Sequence, residues 1–480
     1  MKKLILLIFL SIILSALSAQ VLLPKVITNN MVLQREKPVA IWGTAAPDEK
    51  ITVSFAGQTK ITHANVHGDW QVKLDPMKAS AVPQKMTIIG SNTIELENIL
   101  VGEVWLCSGQ SNMEYPLDRG LKKYAASKRG EDLAKKELVG PRNPLIRYLY
   151  VERKLMPVLP TDGWKDTNDT TLRYVSAAGY FFAKELTEKL NVPVGIISSS
   201  WGGTRVEQWT PPTAYQQSPL FKDSLVGKKN FKIDGMVPGK MFEGMIRPII
   251  PYTIKGLLWY QGESNLMIHD TTTFIAKTKL MLNTWKSMWQ DEDMSFYYVQ
   301  IAPYHYSKRL KDKNKHGADL LPLYWEAQAQ CLDIPKSGMV VTTDLVDNLD
   351  DIHPGYKWEV GRRLALWALA KDYGHKKLEC SGPLYQKMKV KKHTVELTFT
   401  HAKSGLISSD GNALTWFSIA GADQKFYPAK AEIKGKKVIV SAENVPEPVA
   451  VRFAWDETAM PNLTNGAKLP ASPFRTDSWK

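Results

Sequence analysis

Three stretches, far apart in the chain, hold the residue types of an acyl-transfer site. In Val104-Trp105-Leu106-Cys107-Ser108-Gly109-Gln110-Ser111-Asn112-Met113 an apolar run of strand character stops at Gly109, and a serine follows two positions later. A serine at the end of a parallel strand stands on the rim of its sheet, where N–H groups of a following helix start can face a developing negative charge. Taken alone, Ser111 reads first as a turn residue capping a helix. A serine hydroxyl attacks an ester at neutral pH only when a base takes its proton, and His353 in Asp350-Asp351-Ile352-His353-Pro354 is the candidate base. A carboxylate two or three positions upstream can hold the other ring nitrogen, which leaves both Asp350 and Asp351 open. Donors for the oxyanion come from the Ser111 N–H, the Gly202-Gly203 loop and the polar end of Trp259-Tyr260-Gln261-Gly262-Glu263-Ser264-Asn265.

These stretches need a scaffold that brings them to one rim. Residues 20–100 read as short strands between turns, with Val39–Trp42, Ile51–Phe55, Trp70–Leu74 and Met86–Ile89 rich in β-branched and aromatic residues, and so predict a β-sandwich-like unit. Residues 101–378 alternate strands and helices, the pattern of a three-layer α/β/α parallel sheet. The strands there are Leu145–Val151, Val194–Ile197, Ile254–Tyr260, Phe296–Ile301 and Met339–Thr343. The helices are Thr171–Leu190, Thr271–Trp289, Trp325–Leu332 and Tyr356–Ala370, the last with Val360, Leu364, Trp367 and Ala368 on one side. In an open parallel sheet the ligand crevice lies outside the carboxyl ends of the strands. Residues 379–480 revert to β, with strands in Val390–Thr400, Lys430–Glu443 and Val449–Trp455 and a tail from Leu463 that lacks periodicity and wraps over a surface.

Composition narrows the function classes. The 480 residues carry a formal charge of +14, with the lysines scattered rather than concentrated on one helix, so nucleic acid is not an expected partner. The densest run, Lys308 to Lys315, has no aromatic platform and reads as a solvated loop. Lys2 and Lys3 precede the apolar run Leu4–Leu17 and small residues around Ala19, which predicts a secretory signal peptide over residues 1–19 and a secreted or periplasmic protein without membrane insertion. Cys107, Cys331 and Cys380 are too few and too far apart for a disulfide framework or a zinc finger. A calcium-loop reading of Asp344, Asp347, Asp350 and Asp351 lacks the central glycine and terminal glutamate of an EF-hand. With no paired metal-ligand histidines and no HExxH, no metal and no cofactor is expected.

GQSNM at 109–113, SSSWGGT at 198–204, KGLLWYQGESN at 255–265 and DIHPGYKWEVGRRLA at 351–365 together resemble the SGNH-type hydrolases, specifically the sialate O-acetylesterase family. The β-rich N-terminal region and the closing PASPFRT at 470–476 resemble that family too. The resemblance implies a serine esterase that removes O-acetyl groups from carbohydrate through an acetyl-enzyme, with O-acetylated sialic acid as the first substrate and acetyl xylan as the alternative. It implies Ser111 as nucleophile, His353 as base, Asp350 or Asp351 as the orienting acid, and Gly203, Gln261 and Asn265 at the oxyanion hole. Trp201, Arg205, Trp209 and Glu263 are the candidates to line the sugar site, with core packing as the competing role for at least one tryptophan. Arg205, Glu243 and Arg247 depart from the family pattern and bear on substrate rather than chemistry. A glycan-binding protein without turnover, and a lipase or peptidase, are the rival classes. The absence of GxSxG speaks against the latter.

Overall fold

The computed structural model describes residues 20–128, 131–156, 158–309 and 317–479. The expected signal peptide, and most of the Lys308–Lys315 run, lie outside the described residues. No helix among the described residues is long and apolar enough to cross a membrane.

The central sheet is built from β1 (Thr93–Gly109), β2 (Ile146–Tyr150), β3 (Trp164–Asp166), β4 (Val194–Ser200), β5 (Gly256–Tyr260), β6 (Ser295–Val299) and β7 (Ser337–Val340). Its spatial order is β7-β6-β5-β1-β4-β2-β3, parallel throughout except for the antiparallel edge strand β3. From β1 the chain first fills one side, laying down β2 and the edge strand β3 before returning to β4 beside β1, and then builds outward through β5, β6 and β7 on the other. That reversal puts the topological switch point at β1, where an open α/β sheet places its ligand crevice.

Alternation along the strands divides the core cleanly. Val104 and Leu106 of β1, Leu257 and Trp259 of β5 and Phe296 and Tyr298 of β6 face one layer, with Met281, Leu282 and Trp285 of α3 (Phe274–Trp289) and Leu321 and Trp325 of α4 (Leu320–Ala329). Trp105, Cys107, Leu258, Tyr260 and Tyr297 face the other, against α2 (Ala177–Leu190) and α5 (Lys357–Lys371). α2 and α5 touch at backbone distance: a Cβ on Gly361 would stand 2.5 Å from the Ala178 carbonyl oxygen, and one on Gly179 2.7 Å from Cys107 Sγ. The expected helix from Thr171 is broken in two, because Ser176 leaves helical geometry and its hydroxyl caps the Gly179 N–H of α2.

β1 runs unbroken through residue 100. Its first half pairs with the hairpin partner Ser80–Ile89 and with Val32–Gln34, and its second half lies at the centre of the parallel sheet. The N-terminal strands therefore share the hydrophobic core of the larger unit. Val390–Thr400 and Lys430–Glu443, expected as single strands, are each a hairpin: Leu384–Lys391 with Thr394–Thr400, and Lys430–Lys434 with Lys437–Ser441 around Gly435 at φ +62°. The aperiodic tail also pairs, Leu463–Asn465 with Leu406–Ser408 and Phe474–Arg475 with Ala450–Phe453, and it buries Phe474. Two- and three-residue pairings are too short to show a period of two. Arg475 grips Glu326 of α4 at 2.8 and 3.0 Å and thereby ties this tail to the central unit.

Candidate active site

The turn after β1 exists because two backbones meet there. A Cβ on Gly109 would lie 2.2 Å from the Tyr260 carbonyl oxygen, and Gly109 holds φ +136°, so both space and conformation demand glycine. That same carbonyl accepts the Gln110 N–H at 2.9 Å, and the chain then enters the short helix α1 (Ser111–Glu114). Gln110 is buried, and its Oε1 accepts from Gln261 Nε2 and from the Gly262 and Ser264 N–H groups at 3.3–3.4 Å. Ser111 and the loop after β5 are thus held to each other by one amide.

His353 Nε2 lies 3.0 Å from Ser111 Oγ. On its other side Nδ1 is 3.7 Å from Asp351 Oδ1, which also accepts the His353 N–H at 2.9 Å. The bond and charge of His353 come first among the groups that hold the Asp351 carboxyl below the usual range. Tyr124 stacks on the imidazole at 4.5 Å with 29° between planes, and Tyr115 stacks behind it at 4.6 Å. Asp350 does not reach this histidine: it is exposed and bonds His305 Nδ1 at 2.7 Å, with Lys308 Nζ at 3.5 Å. An Asx turn at Asp351 points that residue inward and leaves its neighbour outward, so the two-residue offset is the one in contact.

Behind the serine lies a buried polar knot. Asn112 Nδ2 donates to the Ile352 carbonyl at 3.0 Å and to Glu263 Oε1, and Asn112 Oδ1 accepts from Lys357 Nζ at 2.7 Å. Lys357 also donates to the Pro354 carbonyl at 2.8 Å and sits over the rings of Tyr115 and Tyr260, 4.9 and 5.2 Å from their centroids. Burial pulls its ammonium down to about 7 against the opposing fields of Glu263 and Asp351, and burial also raises the Glu263 carboxyl. Glu263, expected at the sugar site, is only 2% exposed and braces this knot from within.

The glycine loop follows β4. Gly202 approaches the serine so closely that a Cβ there would stand 3.1 Å from Ser111 Cβ and 3.1 Å from Glu114 Oε2, the atom that accepts the Gly202 N–H at 2.6 Å. Gly203 is exposed at φ +75°. Asn265 is not turned toward the serine: its Oδ1 accepts from Val206 N–H at 3.1 Å and Gln261 Nε2 at 2.6 Å, and its Nδ2 donates to Glu207 and Asp270. It therefore holds Gln261 rather than facing Ser111. Glu207, Asp234 and Asp270 offer carboxylate oxygens within 4.8 Å of one another, a spacing that suits a cation. The buried Lys277 ammonium already fills that place, 2.9 Å from Glu207 and from Asp270 and bonded to Asp234.

Of the remaining sugar-site candidates, Trp201 is half-buried beside the glycine loop, its N–H donating to the Gly109 carbonyl at 3.0 Å. Trp209 is fully buried and packs edge-on against Trp259, at 5.9 Å between ring centroids, so its role is core packing. Arg205 is buried too, donating to the Asp234 carbonyl at 2.7 Å. Glu243 and Arg247 pair with each other at the surface, with Arg247 lying over Phe242. The four aspartates weighed as a calcium loop are dispersed: Asp344 holds Arg363, Asp347 holds Ser127 and the Lys128 N–H, Asp350 holds His305 and Asp351 holds His353.

Gln110, Asn112, Tyr124, Lys277 and Lys357 were not singled out from sequence. Lys357 carried a signal: it falls on the same side of its helix as Val360 and Leu364, so the period alone makes it a lysine on a buried face.

Comparison with known proteins bears on this geometry. A profile of the family described as carbohydrate esterase, sialic acid-specific acetylesterase, matches residues 101–369. The sialate O-acetylesterase of Homo sapiens is 29% identical, over 93% of this chain and 91% of its own, and that of Mus musculus is 28% identical over 93% of both. A crystal structure of a carbohydrate acetylesterase from Xanthomonas citri is 32% identical, with a TM-score of 0.83 over 96% of this chain and all of its own. The chain, a carboxylic ester hydrolase, therefore belongs to the sialic acid-specific acetylesterase family of carbohydrate esterases.

Proposed function

We propose that the protein deacetylates sugars by a serine mechanism, with O-acetylated sialic acid as its substrate. The observation that carries this reading is the row Ser111 Oγ, His353 Nε2 at 3.0 Å and Asp351 beyond the other nitrogen, at the rim where β1 reverses the sheet order. Ser111 attacks the acetyl carbonyl while His353 takes the hydroxyl proton, and Asp351 stabilises the imidazolium that forms. The tetrahedral oxyanion is met by the N–H groups of Ser111 and Gly203; the Gln261 amide, expected there from sequence, is buried and gives its N–H groups to Asn265, Gln110 and the Thr204 carbonyl, so it braces the loop instead. Each such donor is worth about 2.7–4 kcal/mol in the transition state. Collapse expels the sugar hydroxyl, which takes the proton from His353 and leaves the acetyl group on Ser111 Oγ. The same histidine then activates water, and acetate leaves.

The sialic acid assignment is supported by what the mammalian relatives are called. Lys2, Lys3 and the apolar Leu4–Leu17 support export, so the substrate is met outside the cytoplasm. The test is acetate release from 9-O-acetylated sialic acid and from acetylated xylan, side by side, by the wild type and Ser111→Ala. Release from the sialic acid, abolished in the variant, is expected. Release from xylan alone would move the substrate to plant glycan, and no release from either by folded protein would overturn the sialic acid assignment and leave another acetylated glycan as the substrate.

A further inference from the structure

We propose that a cavity beside the catalytic rim is a second sugar subsite, which takes the residue glycosidically linked to the acetylated sugar and makes an oligosaccharide, rather than a free monosaccharide, the preferred substrate. The proposal rests on the esterase reading of Ser111 and names the substrate class of that same site. The cavity, of about 370 Å³, opens beyond the carboxyl end of β2 and is lined by Tyr150, Arg153, Lys154, Asp162, Lys165 and Tyr174 among others. Pockets of a few hundred Å³ lined by aromatic faces and a few polar groups are the size and chemistry of ligand sites.

Its connection to the serine is a chain of contacts. Arg153 Nε lies 3.2 Å from Glu114 Oε1, and the other oxygen of Glu114 accepts the N–H of Gly202, the residue pressed against Ser111. Aromatic surface runs the same way. Tyr124 stacks on His353, and its phenol, pushed up to about 12 by burial and then by Glu114 and Asp351, also feels Arg153 from the cavity side. Beyond Arg153 come Tyr150 and Tyr174, near-parallel at 28° with centroids 6.0 Å apart, the latter 42% exposed. A sugar ring needs such a flat apolar face for its C–H surface, with polar groups at the edge for its hydroxyls.

The charges favour a neutral sugar here. Each of the three cations has a carboxylate beside it: Arg153 shares Glu114 with Lys122, Lys154 has Glu152 at 2.6 Å, and Lys165 has Asp169 at 3.6 Å. Paired groups present both donors and acceptors, which suit hydroxyls better than a lone carboxylate.

The test compares wild type and Tyr174→Ala on three substrates: 4-nitrophenyl acetate, 9-O-acetylated sialic acid, and the same sugar linked in sialyllactose. Loss of one stacking face is expected to raise KM for the linked substrate about three- to tenfold and to leave the other two unchanged. Equal kcat/KM for free and linked sugar in the wild type, or an equal loss on all three substrates, would overturn the subsite. Calorimetric titration of wild type and Tyr174→Ala with unacetylated sialyllactose and xylotetraose reads the cavity without turnover. Binding of either by the wild type that weakens in the variant supports the proposal, and no binding of either by the wild type defeats it. Retention of all three activities in Ser111→Ala would instead count against the serine mechanism, while binding of sialyllactose or xylotetraose that weakens in Tyr174→Ala would still support the subsite.

Discussion

Asp350→Asn and Asp351→Asn separate two adjacent carboxylates that have equal claims in sequence. In the structure only Asp351 faces the imidazole, 3.7 Å from Nδ1. A unit charge at that distance stabilises an imidazolium by about 1 kcal/mol at the dielectric of water and by about 4.5 kcal/mol at an effective dielectric of 20. The side chains of His353 and Asp351 are 20% and 28% exposed, which sets the pair between those limits, at about 2–3 kcal/mol. Asp351→Asn is therefore expected to lower kcat roughly 30- to 150-fold, at ~1.36 kcal/mol per decade. A loss of the tautomer that presents Nε2 to the serine would deepen it. Removing the carboxylate also disfavours the protonated ring, so the acid limb of the pH–rate profile moves to lower pH. Asp350 spends its charge at the surface on His305 and Lys308, and Asp350→Asn is expected to change kcat by less than about twofold. Steady-state and burst kinetics on 4-nitrophenyl acetate between about pH 5 and pH 9 read both effects. Equal losses in the two variants, or a fixed acid limb in Asp351→Asn, would refute the reasoning.

Other perturbations test the scaffold. Gly202→Ala places a methyl 3.1 Å from both Ser111 Cβ and Glu114 Oε2, so that Ser111 must give by a few tenths of an ångström, and kcat is expected to fall, by less than the ~100-fold of a full 1 Å misplacement, with little change in thermal unfolding. Lys277→Met leaves Glu207 and Asp270 buried without their cation and should destabilise the fold by about 3–5 kcal/mol in urea; a loss below about 1 kcal/mol would mean the cluster is not held by that charge. Lys357, pulled down to about 7 when folded, returns to ~10.4 in the unfolded chain, so the unfolded state binds the extra proton between those values. Wild-type stability relative to Lys357→Met should accordingly rise from pH 7 to pH 10, by on the order of 4 kcal/mol, and a flat difference in pH-dependent unfolding would contradict the burial of that ammonium.

What sequence could and could not reveal follows the range of each interaction. The parallel strands of the central sheet and its long helices were legible because their apolar periods extend over four residues or more, and the positions of Ser111, Gly202, Gln261 and His353 after successive strands followed from them. The three-residue edge strand β3 was too short to show a period and was missed. The choice between Asp350 and Asp351 was not legible, since it depends on the turn at Asn348–Asp351, where a one-residue difference reverses which side chain points inward. Arg205, Trp209 and Glu263 have surface-binding chemistry in composition but fill the interior in space. Their burial is decided by Asp234, Trp259 and Asn112, residues that lie 29, 50 and 151 positions away and that no local pattern connects to them.

The knot behind the serine explains why an enzyme of this kind buries a lysine at all. Ser111 and His353 stand 242 residues apart, and their hydrogen bond survives only if the segments that carry them keep a fixed distance. Asn112, next to Ser111, donates to the carbonyl of Ile352, next to His353, so one amide sets that spacing directly. That amide can donate in this direction only if its oxygen is satisfied on the other side, and Lys357 does so while also taking the Pro354 carbonyl. An apolar residue at 357 would leave two buried acceptors unpaired, at about 1–3 kcal/mol each, and would free the amide to rotate. The lysine's four-carbon stem suits the apolar first turn of α5, and two tyrosine rings offset part of the cost of burying its charge. Lys357 is thus the point at which helix packing and the Ser111–His353 distance become one constraint.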